Sequence, residues 1–507
     1  MIEFFKIKIL ASRRVLILFL LLLLISAGLR HYRPLALTTF LDDQGRDVLV
    51  AAEILKEGDI PFIGPMTSMG SLYLGPLFYW AITPFLWLAN FSPAGPILFV
   101  AFLGWLANIA LFFLLAKYFN LRSAFIGSFL YALSPLIVQN SRFIWNPNPV
   151  PLFTLIFLWF FLDFWERGRG LFLFLAGAAL GVLIQLHYVT GVLFLVALLG
   201  YLLWAIKNKN KGLIVLLKLA GVGLGGAILP LVPFILFEIK HRFINTRAGW
   251  RFVFDSGPTE ARPLLSLFQG QVDLLERLAQ EALIVNWAFV YFLVSLLVFL
   301  TFLIFFRKKN KKRLGLVFLI LAIFFSSLLI AVTVIRDQIH LHYLGLLLPI
   351  FFIIIGGADY FWQKIRVFGF APLGLVNFFL FIAILFSLSR VNYEQIFQKD
   401  NNQQIKRAQG VAAHIQAKAE DKNIFVTSLT GSPSAYHYRY YLYLAEFKVD
   451  SLNPSSVFAI CEGGECGNPE SNPLWEIAQF GVLEVVSAEQ AGWGVLVYEL
   501  KQKEETL

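Results

Sequence analysis

The chain has 507 residues, of which 58% are hydrophobic, 16% aromatic and only 15% charged, and its formal net charge is +10. With a mean hydropathy of +0.71, this composition excludes a soluble globular domain and indicates an integral membrane protein. The positive charge does not indicate a nucleic-acid partner, because the lysines and arginines lie in short clusters between apolar runs, where they set membrane orientation.

Apolar runs long enough to cross a bilayer, which takes about 20 helical residues, recur along the first 390 residues. They predict eleven membrane-spanning helices, at about 15–29, 96–117, 122–141, 149–166, 170–187, 189–206, 213–237, 284–306, 314–335, 342–362 and 368–389. The first run follows Arg13 and Arg14 and lacks a small-residue cleavage pattern, so we expect a retained signal anchor. A further apolar stretch, 71–90, is interrupted by Pro76 and Pro84 and is predicted to re-enter the membrane or lie along its surface.

The basic clusters predict the orientation of these helices, because loops rich in Lys and Arg stay in the cytoplasm. With eleven spans, every cluster falls on the cytoplasmic side, and these clusters are Lys6 to Arg14, Lys117 to Arg122, Arg167 to Arg169, Lys207 to Lys211, Arg307 to Arg313 and Lys364 to Arg366. The N-terminus is then cytoplasmic, and the chain beyond 391 is outside a cytoplasmic (inner) membrane. The outer face also receives the loops 30–95, 142–149, 186–191, 238–283 and 336–343, so the polar residues collect on one side.

The tail, 391–507, differs in composition from the rest of the chain. Its apolar runs shorten to strand length at 423–427 and 494–498, and a helix-like stretch at 403–420 precedes the first of them. We therefore expect an all-α polytopic membrane module, 1–390, followed by a small extracytoplasmic α/β domain, 391–507. The only cysteines, Cys461 and Cys466, either close a disulfide in an oxidising compartment or remain two reduced thiols.

A glycine pattern, GVGLGG at 221–226, matches the G-x-G-x-x-G pattern of dinucleotide-binding loops. Here it lies inside an apolar span, where glycines instead allow close contact between helices, as do Gly177 and Gly181. The pattern therefore predicts a helix contact rather than a nucleotide site.

Charged residues cluster directly after the first span, where each is costly unless it faces water, a pocket or a partner. Asp42 and Asp43 are followed by Arg46 one turn along a predicted amphipathic helix, 44–57. Isolated acidic residues at a helix start usually serve as caps. The acidic pair and the arginine on the same face favour a functional site instead, with Asp43 and Asp42 as candidate catalytic carboxylates and Arg46 as a substrate-binding residue.

Several short motifs lie in this outer loop: Asp43-Gln44-Gly45-Arg46-Asp47, Glu53-Ile54-Leu55, Gly58-Asp59, Pro61 and Gly75-Pro76-Leu77-Phe78-Tyr79-Trp80. They resemble the first outer loop of the GT-C membrane glycosyltransferases, in the branch that includes protein O-mannosyltransferases and lipid A aminoarabinose transferases. In that family the first acidic residue of an Asp-Glu-x-Arg-Tyr-like motif is the catalytic carboxylate, which matches Asp43. The chain departs from the motif at Gln44, where the family usually has Glu, and at Asp47, where it usually has Tyr.

A second departure concerns a later outer turn, where family members often carry another Asp that helps to bind a metal or the acceptor. The turn at 142–149 has Asn146 and Asn148 instead. Amides weaken a site for a hard cation, which leaves Asp43 as the one plausible metal ligand and a divalent metal doubtful. The asparagines either touch substrate or, with the neighbouring prolines, cap the helices on either side.

Other candidate substrate-binding residues lie at the outer ends of later spans: His187, Tyr188, Lys240, His241, Arg336, His340, His342 and Tyr343. Arg336 offers a planar, permanently charged group suited to a phosphate. Interfacial placement explains a single His, and contact with lipid headgroups explains Lys240 and His241.

The resemblance implies a glycosyltransferase that takes a sugar from a polyprenyl-phosphate-linked donor to a lipid, glycan or protein acceptor on the outer face, inverting the anomeric centre. Asp43 would accept the proton of the acceptor hydroxyl, and Arg336, with Lys240 or His241, would neutralise the departing phosphate. Two alternatives stay open. A transporter or flippase for lipid-linked sugars would commonly show two related halves, which this sequence lacks, and an inactive relative is compatible with the asparagines at 146 and 148.

Overall fold

In a computed structural model of the chain, the described residues are 12–67, 72–254, 264–305, 311–334, 341–364, 372–463, 466–470 and 472–503. The helices of the first part are α1 (Arg13–His31), α2 (Pro34–Leu37), α3 (Asp42–Glu57), α4 (Leu77–Leu88), α5 (Ala94–Tyr118), α6 (Leu121–Leu133), α7 (Pro135–Asn140), α8 (Val150–Arg167), α9 (Gly170–Leu186), α10 (Val192–Lys207), α11 (Leu213–Lys240), α12 (Ile244–Phe254), α13 (Leu264–Leu283), α14 (Ala288–Phe305), α15 (Lys311–Val334), α16 (Leu347–Trp362) and α17 (Pro372–Asn392). Short 3-10 turns cover Tyr188–Gly191, Lys209–Lys211 and Leu341–Leu344, and a π-helical turn covers Tyr393–Gln398.

Each predicted span coincides with one or two apolar helices. Five of them, α1, α5, α10 with its preceding turn, α11 and α17 with its following turn, are long and apolar enough to cross a membrane alone. Residues Phe268–Leu283 and Ala288–Thr301 form a further, broken candidate, bent by 107°. Helix length alone does not set the number of crossings, so eleven spans stay a prediction. The interrupted stretch at 71–90 contains the 12-residue α4, whose length of about 18 Å is too short to span a bilayer core of about 30 Å.

The glycines of α9 and α11 make the close helix contact that the sequence predicted. A Cβ at Gly177 would lie 2.1 Å from the carbonyl oxygen of Gly223, and one at Gly181 would lie 2.2 Å from that of Ala227. Neither position has room for a side chain, so the two backbones pack directly against each other. The G-x-G-x-x-G pattern therefore lies in a helix-packing contact and does not form a nucleotide-binding loop.

Ion pairs between partly exposed cations and buried carboxylates join helices near residues 117–122. Lys117 contacts Asp163 at 2.5 Å, and Arg122 contacts the fully buried Asp359 at 3.2 Å. Asp359 also accepts a hydrogen bond from Asn377 at 2.9 Å. The basic cluster Lys117 to Arg122 thus lies at helix ends opposite the turns described below.

The C-terminal part forms the small α/β unit that the sequence predicted. Its helices are α18 (Gln404–Lys418), α19 (Tyr436–Leu444) and α20 (Trp475–Ala478), and its strands are β1 (Ile424–Ser428), β2 (Ser456–Glu462), β3 (Leu483–Gln490) and β4 (Val495–Gln502). The sheet order is β1-β2-β4-β3, with β1 and β2 parallel and the other pairs antiparallel. A disulfide joins Cys461 at the end of β2 to Cys466.

This unit packs directly on α3, the helix that carries the acidic motif. The backbone N–H of Phe40 donates to Gln404 Oε1 at 2.7 Å, and the Tyr443 hydroxyl donates to Glu57 Oε1 at 2.6 Å. Between these two contacts, at either end of α3, the helix touches α19 along its length. The acidic motif and the C-terminal unit therefore lie on the same side of the bundle.

Gly45 allows this packing. A Cβ at Gly45 would lie 2.2 Å from the backbone nitrogen of His437, so α3 and α19 meet backbone to backbone. A glycine in the interior of a helix usually lowers helix stability, because it adds conformational freedom to the unfolded chain. At this position the cost is offset by a contact that no other residue permits.

Candidate active site

The acidic motif begins α3, and Gln44 fixes that start. Its side-chain oxygen accepts the backbone N–H of Leu41 at 3.0 Å, which satisfies a donor left free at the helix N-terminus. Asp42 and Asp43 occupy the first turn, where the positive end of the helix dipole stabilises carboxylates. Gln44, where the family motif usually has Glu, therefore has a structural role, because its neutral amide caps the N-terminus of α3.

The two neighbouring carboxylates have different surroundings. Both oxygens of Asp42 accept hydrogen bonds from the C-terminal unit, one from the Ser432 hydroxyl and one from the backbone N–H of Tyr436, each at 2.7 Å. Asp42 thus caps α19 from another part of the chain. Asp43 instead faces the bundle, with a side chain that is 48% exposed. The structure favours Asp43 alone for the catalytic role that the sequence assigned to both.

Arg46 and Trp145 hold Asp43 in place. The Arg46 guanidinium donates to one oxygen of Asp43 at 2.7 Å, and the Trp145 indole N–H donates to the other at 3.2 Å. Each carboxylate oxygen has capacity for a second hydrogen bond. The Asp43 carboxylate is therefore oriented but still open to a substrate hydroxyl.

Asp47 is the counter-ion of Arg46. It is fully buried, and one of its oxygens accepts from Arg46 Nε at 3.0 Å and from a terminal guanidinium nitrogen at 2.7 Å. This geometry orients the flat guanidinium in one plane. Arg46, predicted to bind substrate, has its charge divided between Asp43 and Asp47, so its contacts point to a positioning role.

The turn at 142–149 reaches Asp43 through its tryptophan. Asn146 and Asn148 donate their amide hydrogens to the carbonyls of Leu186 and Phe143, at 2.7 and 2.9 Å. These contacts fit the capping alternative from the sequence, because each amide fastens the turn to backbone. Trp145 was missed as a site residue, although an indole in a Pro-rich turn between two spans is a recognisable signal.

Arg142 anchors the same turn to the end of the first span. Its buried guanidinium donates to the carbonyl oxygens of Leu29, Tyr32 and Arg33, of which the Tyr32 contact is 2.6 Å. Carbonyls at a helix C-terminus lack intrahelical partners, so a cation there satisfies several at once. The turn that carries Trp145 is consequently fixed relative to α1 and to the loop leading into α3.

Aromatic and imidazole rings extend the site away from Asp43. The ring centroid of Trp145 is 4.4 Å from that of His342, and His342 is 4.3 Å from Tyr343. His187 approaches Tyr343 at 5.3 Å and His342 at 6.1 Å. Three turns distant in sequence therefore meet near Trp145, which donates to Asp43. Substrate binding by His187, His342 and Tyr343 stays a prediction.

Burial lowers the pKa of His187, which lies in the turn between α9 and α10, to about 4. The protonated form of His187 is thus less favourable in the folded protein than in the unfolded chain. Stability is unaffected above the unfolded pKa of about 6.5 and decreases as pH falls from there to about 4. We expect the thermal unfolding midpoint of the wild type to drop more steeply over this window than that of His187→Gln. Parallel pH profiles for the two proteins would contradict a buried neutral imidazole.

Tyr188 fastens two loops together rather than facing Asp43. Its hydroxyl donates to the carbonyl of Tyr73 and accepts from the Asn245 amide at 2.8 Å. The Asn245 side chain also accepts the Tyr73 N–H at 2.6 Å and donates to the Tyr73 carbonyl at 2.9 Å. Asn245 thus pairs with the Tyr73 backbone as a neighbouring strand would. The Tyr188 hydroxyl, predicted to contact substrate, is part of this hydrogen-bond network.

Beside Tyr188 lies a cavity of about 260 Å³ between α9, α11 and the loop before α4. Its walls are apolar, and its polar groups are Gln185, Tyr188, Glu238 and Thr246. Lys240 and His241, predicted to bind phosphate, are exposed at the end of α11 nearby. Arg336 and His340 lie outside the described residues.

Among the described residues, no group of three or more His, Cys, Asp or Glu side chains could hold a metal ion. Asp43, the one carboxylate predicted as a ligand, already accepts hydrogen bonds from Arg46 and Trp145. A divalent cation next to the Arg46 charge would be repelled. The residues at Asp43 therefore do not form a fitting metal site.

Comparison with known proteins gives one family match, and no curated protein sequence matches significantly. Residues 74–236 match the family described as dolichyl-phosphate-mannose-protein mannosyltransferase. This range begins after Asp43, so the match does not itself assign the acidic motif.

Three solved structures share the fold over most of this chain. ArnT from Cupriavidus metallidurans in the apo state has a TM-score of 0.59 at 13% identity, with 96% of this chain and 98% of that chain covered. The same enzyme bound to undecaprenyl phosphate gives 0.57 at 13% identity, with the same coverage. The Archaeoglobus fulgidus oligosaccharyltransferase in the apo form gives 0.52 at 11% identity, with 87% of this chain and 65% of that chain covered.

Proposed function

We propose that this chain, which matches the mannosyltransferase family model over residues 74–236 and shares the fold of ArnT, transfers a sugar from a polyprenyl-phosphate donor to an acceptor hydroxyl at Asp43. The acceptor belongs to a lipid, a glycan or a protein. The reaction takes place on the outer face of the cytoplasmic membrane.

One observation carries this proposal. Asp43 is half-exposed, is oriented by Arg46 and Trp145, and lies where turns from remote spans meet. A carboxylate held at a fixed angle yet open to solvent is suited to accept a proton from a bound hydroxyl. The ArnT structure with undecaprenyl phosphate supports a polyprenyl-phosphate donor for this fold.

In the proposed mechanism, the acceptor oxygen attacks the anomeric carbon while the bond from that carbon to the phosphate oxygen breaks. The acceptor proton passes to Asp43, and the electron pair of the broken bond leaves with the polyprenyl phosphate. Direct displacement inverts the anomeric centre. Arg46 and Trp145 keep the carboxylate pointed at the hydroxyl, so the entropic cost of orienting the two groups is reduced before the reaction.

The departing phosphate needs a cation or strong hydrogen-bond donors. Arg336 and Lys240 remain the proposed cations, with His340 and His241 beside them in sequence. His187, His342 and Tyr343 lie near Trp145, which donates to Asp43, and their ring N–H and hydroxyl groups suit the sugar hydroxyls. The apolar cavity beside Tyr188 has walls compatible with the first isoprenoid units of the donor.

The proposal is tested with purified protein in nanodiscs supplied with a labelled lipid-linked sugar and candidate acceptors. Sugar transfer with inversion supports it. Movement of the lipid across the bilayer without transfer would instead support a flippase. The absence of both activities would support an inactive relative.

A second test concerns the orientation of the chain in the membrane. Because Asp42 binds Ser432 and Tyr436, the tail and Asp43 share one side, and labelling that places the tail in the cytosol would contradict an outer active site.

Trp145→Phe separates the indole N–H from the indole ring. The phenyl ring keeps a contact with His342 but cannot donate to Asp43, and hydrogen bonds to charged groups contribute about 1.5–3 kcal/mol. We expect turnover to fall about tenfold to hundredfold, measured as initial rates of sugar transfer. Trp105→Phe is the matched control, because the Trp105 indole N–H also donates one hydrogen bond, in this case to the backbone carbonyl of Leu23 at 3.1 Å, but lies elsewhere. Equal rates for the two variants would remove the Trp145 bond from the mechanism.

A further inference from the structure

A basic and apolar surface follows the span α11 directly. No Asp or Glu occurs from Ile239 to Phe254. The same segment contains four cationic side chains, those of Lys240, Arg242, Arg247 and Arg251. We refer to these four residues as the basic stripe. All four are exposed. The candidate transfer reaction at Asp43 makes no use of this segment beyond Lys240.

Exposed apolar side chains alternate with the basic stripe. Phe243 is 50% exposed, Ile244 57% and Trp250 63%. On α12, Ile244, Arg247 and Arg251 are three and then four residues apart, which places them on one face of the helix. A helix face that mixes cations with a large aromatic residue is typical of the boundary between lipid and water.

The opposite face of α12 is fixed to the rest of the protein. Asn245 is buried and pairs with the Tyr73 backbone, and a Cβ at Gly249 would lie 3.5 Å from Leu72. Glu238, at the end of α11, accepts the backbone N–H of Asn245 at 3.0 Å and that of Thr246 at 2.7 Å. The helix therefore cannot rotate to hide its exposed face, which stays directed away from the loop that it holds.

The turn between α11 and α12 changes the chain direction within three residues. Arg242 and Phe243 both have positive φ angles, 54° and 59°, a backbone conformation that is costly for residues other than glycine. The turn is stabilised because Glu238 caps the following helix. As a result, α12 begins directly after the apolar helix α11 ends.

We propose that the outer face of α12 binds the phosphate headgroups of anionic phospholipids, with the basic stripe contacting phosphate and Phe243, Ile244 and Trp250 inserted at the level of the glycerol backbone. The occupant is the bulk anionic lipid of the membrane, because its charge complements four cations spread over the end of α11, the following turn and α12 rather than gathered around one phosphate. Lipid binding also holds the Tyr73 loop, since Asn245 and Tyr188 join that loop to α12.

The test uses the full chain in nanodiscs of phosphatidylcholine alone or mixed with phosphatidylglycerol, and it measures amide hydrogen exchange rather than transfer. We expect phosphatidylglycerol to slow exchange in the segments around 244–254 and 72–76. We expect native mass spectrometry to show retained phosphatidylglycerol. A cation at an anionic surface contributes about fivefold in binding, so Arg247→Gln with Arg251→Gln reduces phosphatidylglycerol retention about 25-fold.

The matched control is Lys209→Gln with Lys211→Gln, which removes two exposed cations from the turn at the opposite end of α11. It leaves the exchange pattern of 244–254 unchanged. Equal protection with and without phosphatidylglycerol would overturn the proposal. So would a response to undecaprenyl phosphate in neutral nanodiscs that phosphatidylglycerol does not reproduce, because the surface would then belong to the donor. Neither readout depends on sugar transfer, so failure here is distinct from failure of the proposed reaction.

Discussion

Asp43→Asn is expected to lower the rate of sugar transfer about 10²- to 10⁴-fold, the contribution typical of a positioned general base. The asparagine keeps the size of the side chain and one oxygen, so Arg46 or Trp145 can still hold it. It cannot accept the acceptor proton. Initial rates with saturating donor, measured on protein of unchanged melting temperature, isolate the loss of the base from a loss of folding.

The adjacent Asp42→Asn is the matched control. It removes one charge from the same turn of α3, but Asp42 faces Ser432 and Tyr436 rather than the bundle. We expect it to reduce turnover far less and to make the tail beyond 391 easier for a protease to release. If Asp43→Asn retained the wild-type rate, or if Asp42→Asn were the more damaging of the two, Asp43 would not be the base.

Gly45→Ala is expected to separate α3 from α19. The added methyl group would lie 2.2 Å from the His437 backbone nitrogen, and backbone cannot move aside as the end of a side chain can. Overpacking of this kind typically costs about 1–3 kcal/mol, which exceeds the gain of up to about 1 kcal/mol from the better helix former. Thermal unfolding and limited proteolysis measure the loss. Turnover should fall as well, because α3 carries Asp43.

Gly28→Ala provides the comparison, since Gly28 lies in α1 and a Cβ there would meet no heavy atom within 4 Å. The same substitution at that position should leave stability unchanged or raise it slightly. A Gly45→Ala protein as stable and as protease-resistant as Gly28→Ala would show that the two helices are not in backbone contact.

The apolar helices were predictable because their signal is local. A run of apolar residues has to be a helix in hydrocarbon whatever surrounds it, and proline interruptions marked 71–90 as a stretch whose helix, α4, is too short to cross. The C-terminal unit was predictable for a similar reason, from strand-length runs and a change in charge. The glycines at 177 and 181 were also interpreted correctly, since their context excluded a phosphate loop.

The division of roles within the site was less predictable, because it depends on residues far apart in sequence. Asp42 and Asp43 are neighbours in the first turn of one helix, and contacts with Ser432, Tyr436 and Trp145, all far away in sequence, separate their roles. In the turn at 142–149, the sequence analysis considered Asn146 and Asn148, because related proteins often have an Asp in this turn. In the structure, Trp145 is the residue of this turn that donates to Asp43. Tyr188 is a tyrosine beside a histidine, and nothing local shows that it joins Tyr73 to Asn245.

The cap on α19 has a consequence for biosynthesis. Asp42 leaves the ribosome long before its partners Ser432 and Tyr436, which follow 390 and 394 positions later. The first turn of α3 therefore gains its contacts with Ser432 and Tyr436 only after the start of α19 has been synthesised. We expect the packing of α3 to be completed late in folding, after the membrane helices between these two segments have formed.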